Sequence, residues 1–197
     1  MKPVLLLDVD GVLADFLGAW LRVINEHSAE PILRAAVSDW HVFDELTQWH
    51  APEKIDEIRD LCHEEAKRPG FCSGLAVYEG AKEGVARLIE ETDLYVVTSP
   101  FRGARTWTHE REEWLAAHFG IDPTRVIHTS AKHRVRGDFL IDDKLSNVSA
   151  WEEENDGLGL LWRTPSLGTG LISVHDWDEV DAHVAEWKVE QARRKVG

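Results

Sequence analysis

A chain of 197 residues with 36 acidic against 22 basic side chains has a formal charge of −14. That balance is unsuited to gripping a nucleic-acid backbone, whose affinity comes from phosphate neutralisation. With 43% hydrophobic and 29% charged residues the composition is that of a globular protein with one sizeable core and room for a small subdomain. No apolar run approaches a membrane span, and Asp8 cuts the opening "MKPVLLLD" too short for a signal peptide. Two cysteines, Cys62 and Cys72, do not make a disulfide framework, so a reducing cytoplasm is the expected setting.

In chain order, the first expected strand is the apolar run "VLLL", Val4–Leu7, followed at once by Asp8, Asp10 and Gly11. From Phe16 to Val77 no strand-like run occurs. The clearest helix there is "PEKIDEIRDLCHEEAKR", opened by Pro52 and stopped before Pro69-Gly70. "GAKEGVARLIEE" follows, with Val85, Leu88 and Ile89 at helical spacing, and then the strand "LYVV", Leu94–Val97. "THEREEWLAAHFG" predicts a helix with Thr108 as its N-cap, a stripe of Trp114, Leu115 and Phe119, and Gly120 as its stop. Strands "RVIH", "FLI" and "LGLLW" come next, and a helix with Val180, Val184 and Trp187 on its stripe closes the chain.

Solid apolar strands alternating with helices indicate an α/β fold: a Rossmann-like parallel sheet in three α/β/α layers. The helical segment 17–76 is expected to be a small cap inserted after the first strand, over a core of 1–16 and 77–197. Such an insertion overhangs the carboxyl ends of the strands, where α/β proteins bind ligands.

Four expected strand ends carry chemistry. The first bears Asp8 and Asp10, the second Thr98 and Ser99, and the third leads to Lys132. The fourth, in "GDFLIDDKLSN", ends in Asp142 and Asp143. If the first and fourth strands are neighbours, carboxylates converge at one point, which is tolerable around a hard divalent cation such as Mg²⁺. Carboxylates, hydroxyls and an ammonium together are an inventory for phosphoryl transfer. Each motif alone has a blander reading: a strand exit, a turn, a surface lysine. A calcium loop would need its glycine later and a helix before it, and a D-x-D sugar-transferase site would leave Lys132 and Asp142-Asp143 without a role.

The motifs "DVDGVLADF", "TSP" and "LIDD", with Lys132 between the last two, resemble the haloacid dehalogenase superfamily, and within it the 5′(3′)-deoxyribonucleotidases. The resemblance covers Pro3–Phe16 and Tyr78 to about Lys144 well. It implies that Asp8 is the nucleophile and Asp10 the general acid and base. It also implies that Asp8, the Asp10 backbone carbonyl and Asp143 hold Mg²⁺, with Asp142 bracing them. Thr98, Ser99 and Lys132 would bind phosphate, and Phe16, Trp40, His41, Phe43, Phe101 and Lys144 would contact the rest of the substrate. The implied partner is a small nucleotide or another phosphomonoester, with no nucleic acid or membrane partner and a homodimer as one assembly to expect. A sugar-phosphate phosphatase, and a non-catalytic binding protein on the same scaffold, are the competing expectations.

Overall fold

A computed structural model of the chain describes residues 2–34, 37 and 42–194. Among the described residues six strands form a single parallel sheet: β1 (Val4–Leu7), β2 (Asp93–Thr98), β3 (Val126–His128), β4 (Phe139–Asp142), β5 (Leu158–Trp162) and β6 (Ile172–Val174). Their order across the sheet is β3-β2-β1-β4-β5-β6. The helices are α1 (Phe16–His27), α2 (Val42–Glu45), α3 (Pro52–Ala66), α4 (Ala81–Glu91), α5 (Trp107–Phe119), α6 (Leu145–Glu154) and α7 (Trp177–Arg194).

The strands are apolar throughout because both faces are covered. Alternate residues of β1 diverge: Leu5 and Leu7 join the large core with Val85, Leu88, Trp114, Leu115, Val180 and Val184 from α4, α5 and α7. Leu6 turns the other way and packs with Val97, Leu140 and Trp151 of α6. Helices on both faces of a parallel sheet make the three-layer α/β fold expected from the sequence. Trp177 fits against α4 because position 84 is glycine, where a Cβ would overlap the indole ring.

Two details differ from expectation. β6 is an added strand, three residues long, too short for the apolar-run signal. Helix α5 begins one residue before Thr108, so Thr108 lies in its first turn rather than at its cap; Thr106 takes the cap position. Gly120 does end α5, in the left-handed conformation that favours glycine.

The helical segment after β1 leaves and rejoins the sheet at one place. Ala14 bridges Val77 in antiparallel fashion, with Asp15 N–H on Ala76 O at 2.8 Å and Tyr78 N–H on Leu13 O at 2.9 Å. Between these points α1 packs on α3, and Trp20, Ile24, Ile55, Ile58 and Cys62 are buried. Asp15 caps α1, its carboxylate accepting from Gly18 N–H at 3.0 Å. Among the described residues no helix is long and apolar enough to cross a membrane.

Candidate active site

Register levels the strand ends. Leu7 pairs with Val96 of β2 and with Ile141 of β4, and Asp8 N–H continues the ladder onto Ile141 O at 2.9 Å. Asp8 therefore emerges between Thr98 and Asp142. The loop beyond turns at Gly11, whose φ is +82°, and a Cβ there would overlap the Asp143 carboxylate. Glycine is thus required twice over, for the turn and for the closeness of Asp143.

Lys132 reaches this cluster from the turn after β3. That turn is pinned by Thr129 N–H on Thr98 O and by Trp151 Nε1–H on Val135 O. Its Nζ lies 2.7 Å from Asp8 Oδ1 and 2.6 Å from Asp142 Oδ2, with all three side chains buried. The Asp8 carboxyl is raised to about 7: burial lifts it most, Lys132 pulls it down, and Asp142 and Asp10 lift it. Burial also works against a charged Lys132, but Asp8 and Asp142 outweigh it and hold the ammonium above its ordinary value.

Asp142 is saturated by donors. Besides Lys132, its oxygens accept the Lys144 N–H at 2.9 Å and the Asn147 Nδ2 at 3.0 Å on each oxygen. Asp8, Asp142 and Asp143 each offer an oxygen within 4.8 Å of the others. An all-oxygen set, with Asp143 nested on a glycine, fits a hard divalent cation.

Asp10 accepts from a residue that the sequence reading passed over. Arg111 of α5 donates through Nη2 to Asp10 Oδ1 at 2.6 Å and is fully buried. Helical spacing does carry a signal, since Trp107, Arg111 and Trp114 fall at i, i+4 and i+7 on one face.

These groups open into a cleft of about 690 Å³, the size of a small-ligand site. Asp8, Asp10, Ser99, Lys132, Asp143 and Lys144 line its polar floor, and Phe16, Trp20, Phe101 and Trp107 its aromatic wall. Thr98, at the end of β2, is fully buried and outside the lining, and its Oγ1 has no hydrogen-bond partner among the described residues. His63 and Lys67, from the end of α3, also line the cleft and were not anticipated.

Phe43 is not part of the lining. Its ring is buried 5.4 Å from Trp20 with the Arg59 guanidinium over it, so it belongs to the packing of the helical segment. Trp40 and His41 lie outside the described residues.

Comparisons with known proteins bear on the family and the fold. Residues 2–189 match the family model described as 5′ nucleotidase, deoxy (pyrimidine), cytosolic type C protein. A Bacillus subtilis 5′(3′)-deoxyribonucleotidase is 24% identical over 184 residues, spanning 92% of this chain and 98% of that one. A haloacid dehalogenase-like hydrolase from Streptococcus pneumoniae superposes with a TM-score of 0.59 at 14% identity, over 92% of this chain and 98% of its own. A hydrolase of that type from Bacillus subtilis, solved bound to magnesium, has a TM-score of 0.53 at 16% identity, over 93% and 98% of the two chains. Strand-end carboxylates, a buried lysine between them and a match across nearly the whole length place the chain in the deoxyribonucleotidase-like family of haloacid dehalogenase phosphatases, and it is a phosphoric monoester hydrolase.

Proposed function

We propose that this enzyme hydrolyses deoxynucleoside monophosphates through an aspartyl phosphate on Asp8, with Mg²⁺ as its cation and residues 17–76 as the cap of its core. The observation that carries the reading is the Asp8–Lys132 pair on the floor of an aromatic cleft, with Asp142 buried behind it on the same ammonium. Bound by Asp8, Asp143 and the Asp10 backbone carbonyl, Mg²⁺ would neutralise charge between the nucleophile and the phosphate dianion.

The chain's own residues do the rest. The Asp8 carboxylate attacks phosphorus while the ester bond to the leaving oxygen breaks. Asp10 gives its proton to that oxygen, then takes one from the water that cleaves the acyl phosphate and frees Asp8. Thr98 Oγ1 has no partner among the described residues, and a phosphate oxygen would supply one. Ser99 and Lys132 add donors from either side. The aromatic wall favours a nucleoside over a bare sugar.

Phosphate release from a panel of deoxynucleoside, ribonucleoside and sugar monophosphates tests the substrate class. Turnover confined to sugar phosphates would overturn it. The wall has its own test. Stacking of a base on an aromatic ring is worth about 1–3 kcal/mol, so Phe101→Ala should lower kcat/KM for nucleotides roughly ten- to hundredfold. Hydrolysis of a small phosphate lacking a base should barely change. Phe43→Ala should instead lower Tm and leave the ratio between the two substrates alone, because its ring is core.

The cation is tested by stability as well as rate. Mg²⁺ should raise Tm in a concentration-dependent way, as any ligand of the folded state does, and Asp143→Asn should abolish the rise. Ca²⁺ should bind yet fail to support turnover, since it accepts more ligands and bidentate carboxylates. Full activity in excess chelator would refute this part of the reading.

A further inference from the structure

The Arg111 guanidinium is costly to bury. It is enclosed between the rings of Trp107 and Trp114, whose centroids lie 5.2 and 5.5 Å from its Cζ. Among the described residues its Nε and Nη1 are buried without a hydrogen-bond partner, and its hydrogen-bonded partner is Asp10. Unsatisfied buried donors destabilise, and an apolar side chain would fill the gap between two indoles at lower cost. Core packing does not explain an arginine here.

The helix that carries it is fixed to its surroundings. Glu110 accepts the Gly70 N–H at 2.8 Å and the Ser73 N–H at 3.2 Å, and Trp114 Nε1–H binds Leu75 O at 2.9 Å. Arg111 therefore projects from a helix tied on both sides of it to the segment returning to the sheet. A rigidly held donor on one oxygen of Asp10 leaves the other oxygen to face a substrate.

We propose that Arg111 is a positioning residue for proton transfer at Asp10; the proposal rests on Asp10 as the proton donor. With Oδ1 held by the guanidinium, Oδ2 is the oxygen left to carry the proton when Asp10 serves as donor. As the ester bond breaks, that proton moves to the leaving oxygen, and the carboxylate left behind is stabilised by the fixed positive charge. In the second half the water's proton returns to Oδ2 as its oxygen bonds to phosphorus and the bond from phosphorus to Asp8 breaks. Arg111 thus acts on the steps in which Asp10 gains or loses a charge.

Leaving-group dependence separates this role from a structural one. p-Nitrophenyl phosphate has a leaving group that needs little protonation, whereas a nucleotide alkoxide needs it. kcat/KM for both substrates would be measured in the parent, Asp10→Asn, Arg111→Met and Arg111→Lys. Arg111→Met should lose roughly a hundredfold on the nucleotide but less than about fivefold on the aryl ester. Arg111→Lys, which keeps the charge, should recover part of the nucleotide loss. Adding Arg111→Met to Asp10→Asn should not increase the selectivity of that loss. Equal losses on the two substrates in folded Arg111→Met, or in Arg111→Lys if the methionine variant does not fold, would overturn the proposal. A selective loss in Asp10→Asn beside equal losses in the Arg111 variants would leave Asp10 as donor and remove Arg111 alone. Equal losses in Asp10→Asn itself, with an active parent, would remove both.

Discussion

Asp8→Asn should reduce turnover by roughly a thousandfold or more, because the amide cannot form the covalent intermediate. The protein should nonetheless remain folded, and the pH dependence of its stability should change in a defined direction. Burial holds the Asp8 carboxyl at about 7 in the folded state, against an ordinary carboxylate value of 3.8. Between those values the native state keeps a proton that the unfolded chain has lost. Stability from this group is therefore fully present below the lower value and is lost as pH rises through the upper one. Asparagine has no proton to lose. In chelator, Tm of Asp8→Asn should fall less than that of the parent between pH 4 and pH 8, on the scale of the two values just given, and should exceed it at the upper end. Phosphatase activity near that of the parent would remove Asp8 as the nucleophile. A parallel pair of Tm curves would remove the argument about its charge.

The sheet was readable because β1, β2, β4 and β5 are buried on both faces and so appear as uninterrupted apolar runs. β6 was not, since three residues after a Gly- and Thr-rich loop carry no periodicity. The positions of Asp8 and Asp142 at strand ends followed from the same runs and that of Lys132 from the turn after β3, but what brings them within bonding distance is register, which no local pattern encodes. Arg111 was missed for a physical reason. A polar residue in a helix is ordinarily read as solvent-facing, and only its spacing from Trp107 and Trp114 betrays the buried face. Phe43 illustrates the converse. An aromatic residue in a segment expected to overhang a site does not reveal which face of its helix it occupies, and its ring turns inward against Trp20. His63 and Lys67 sit at the end of a helix whose start and stop signals were legible, while its approach to the cleft depends on how α3 packs on α1.

Lys132→Met should be the most damaging single change to stability among the site residues. The ammonium lies between two buried carboxylates at 2.7 and 2.6 Å, so a methionine of similar length leaves Asp8 and Asp142 facing each other without a counter-charge. Removing one partner of a buried pair typically costs about 3–5 kcal/mol, which for a chain of this size lowers Tm by on the order of ten degrees. The loss should deepen as pH rises, because without Lys132 nothing opposes the burial that already keeps Asp8 protonated. Adding Asp8→Asn to Lys132→Met should restore much of the stability, giving a strong coupling energy in a double-mutant cycle. Turnover should not return in that double variant, since the nucleophile is gone. Arg134→Ala serves as the control: its ion pair with Glu154 is solvent-exposed, and such pairs contribute about 0–1 kcal/mol. If Lys132→Met melts with the parent at pH 8, the two carboxylates do not need the ammonium. The energetic role assigned to Lys132 then falls, whatever its part in holding phosphate.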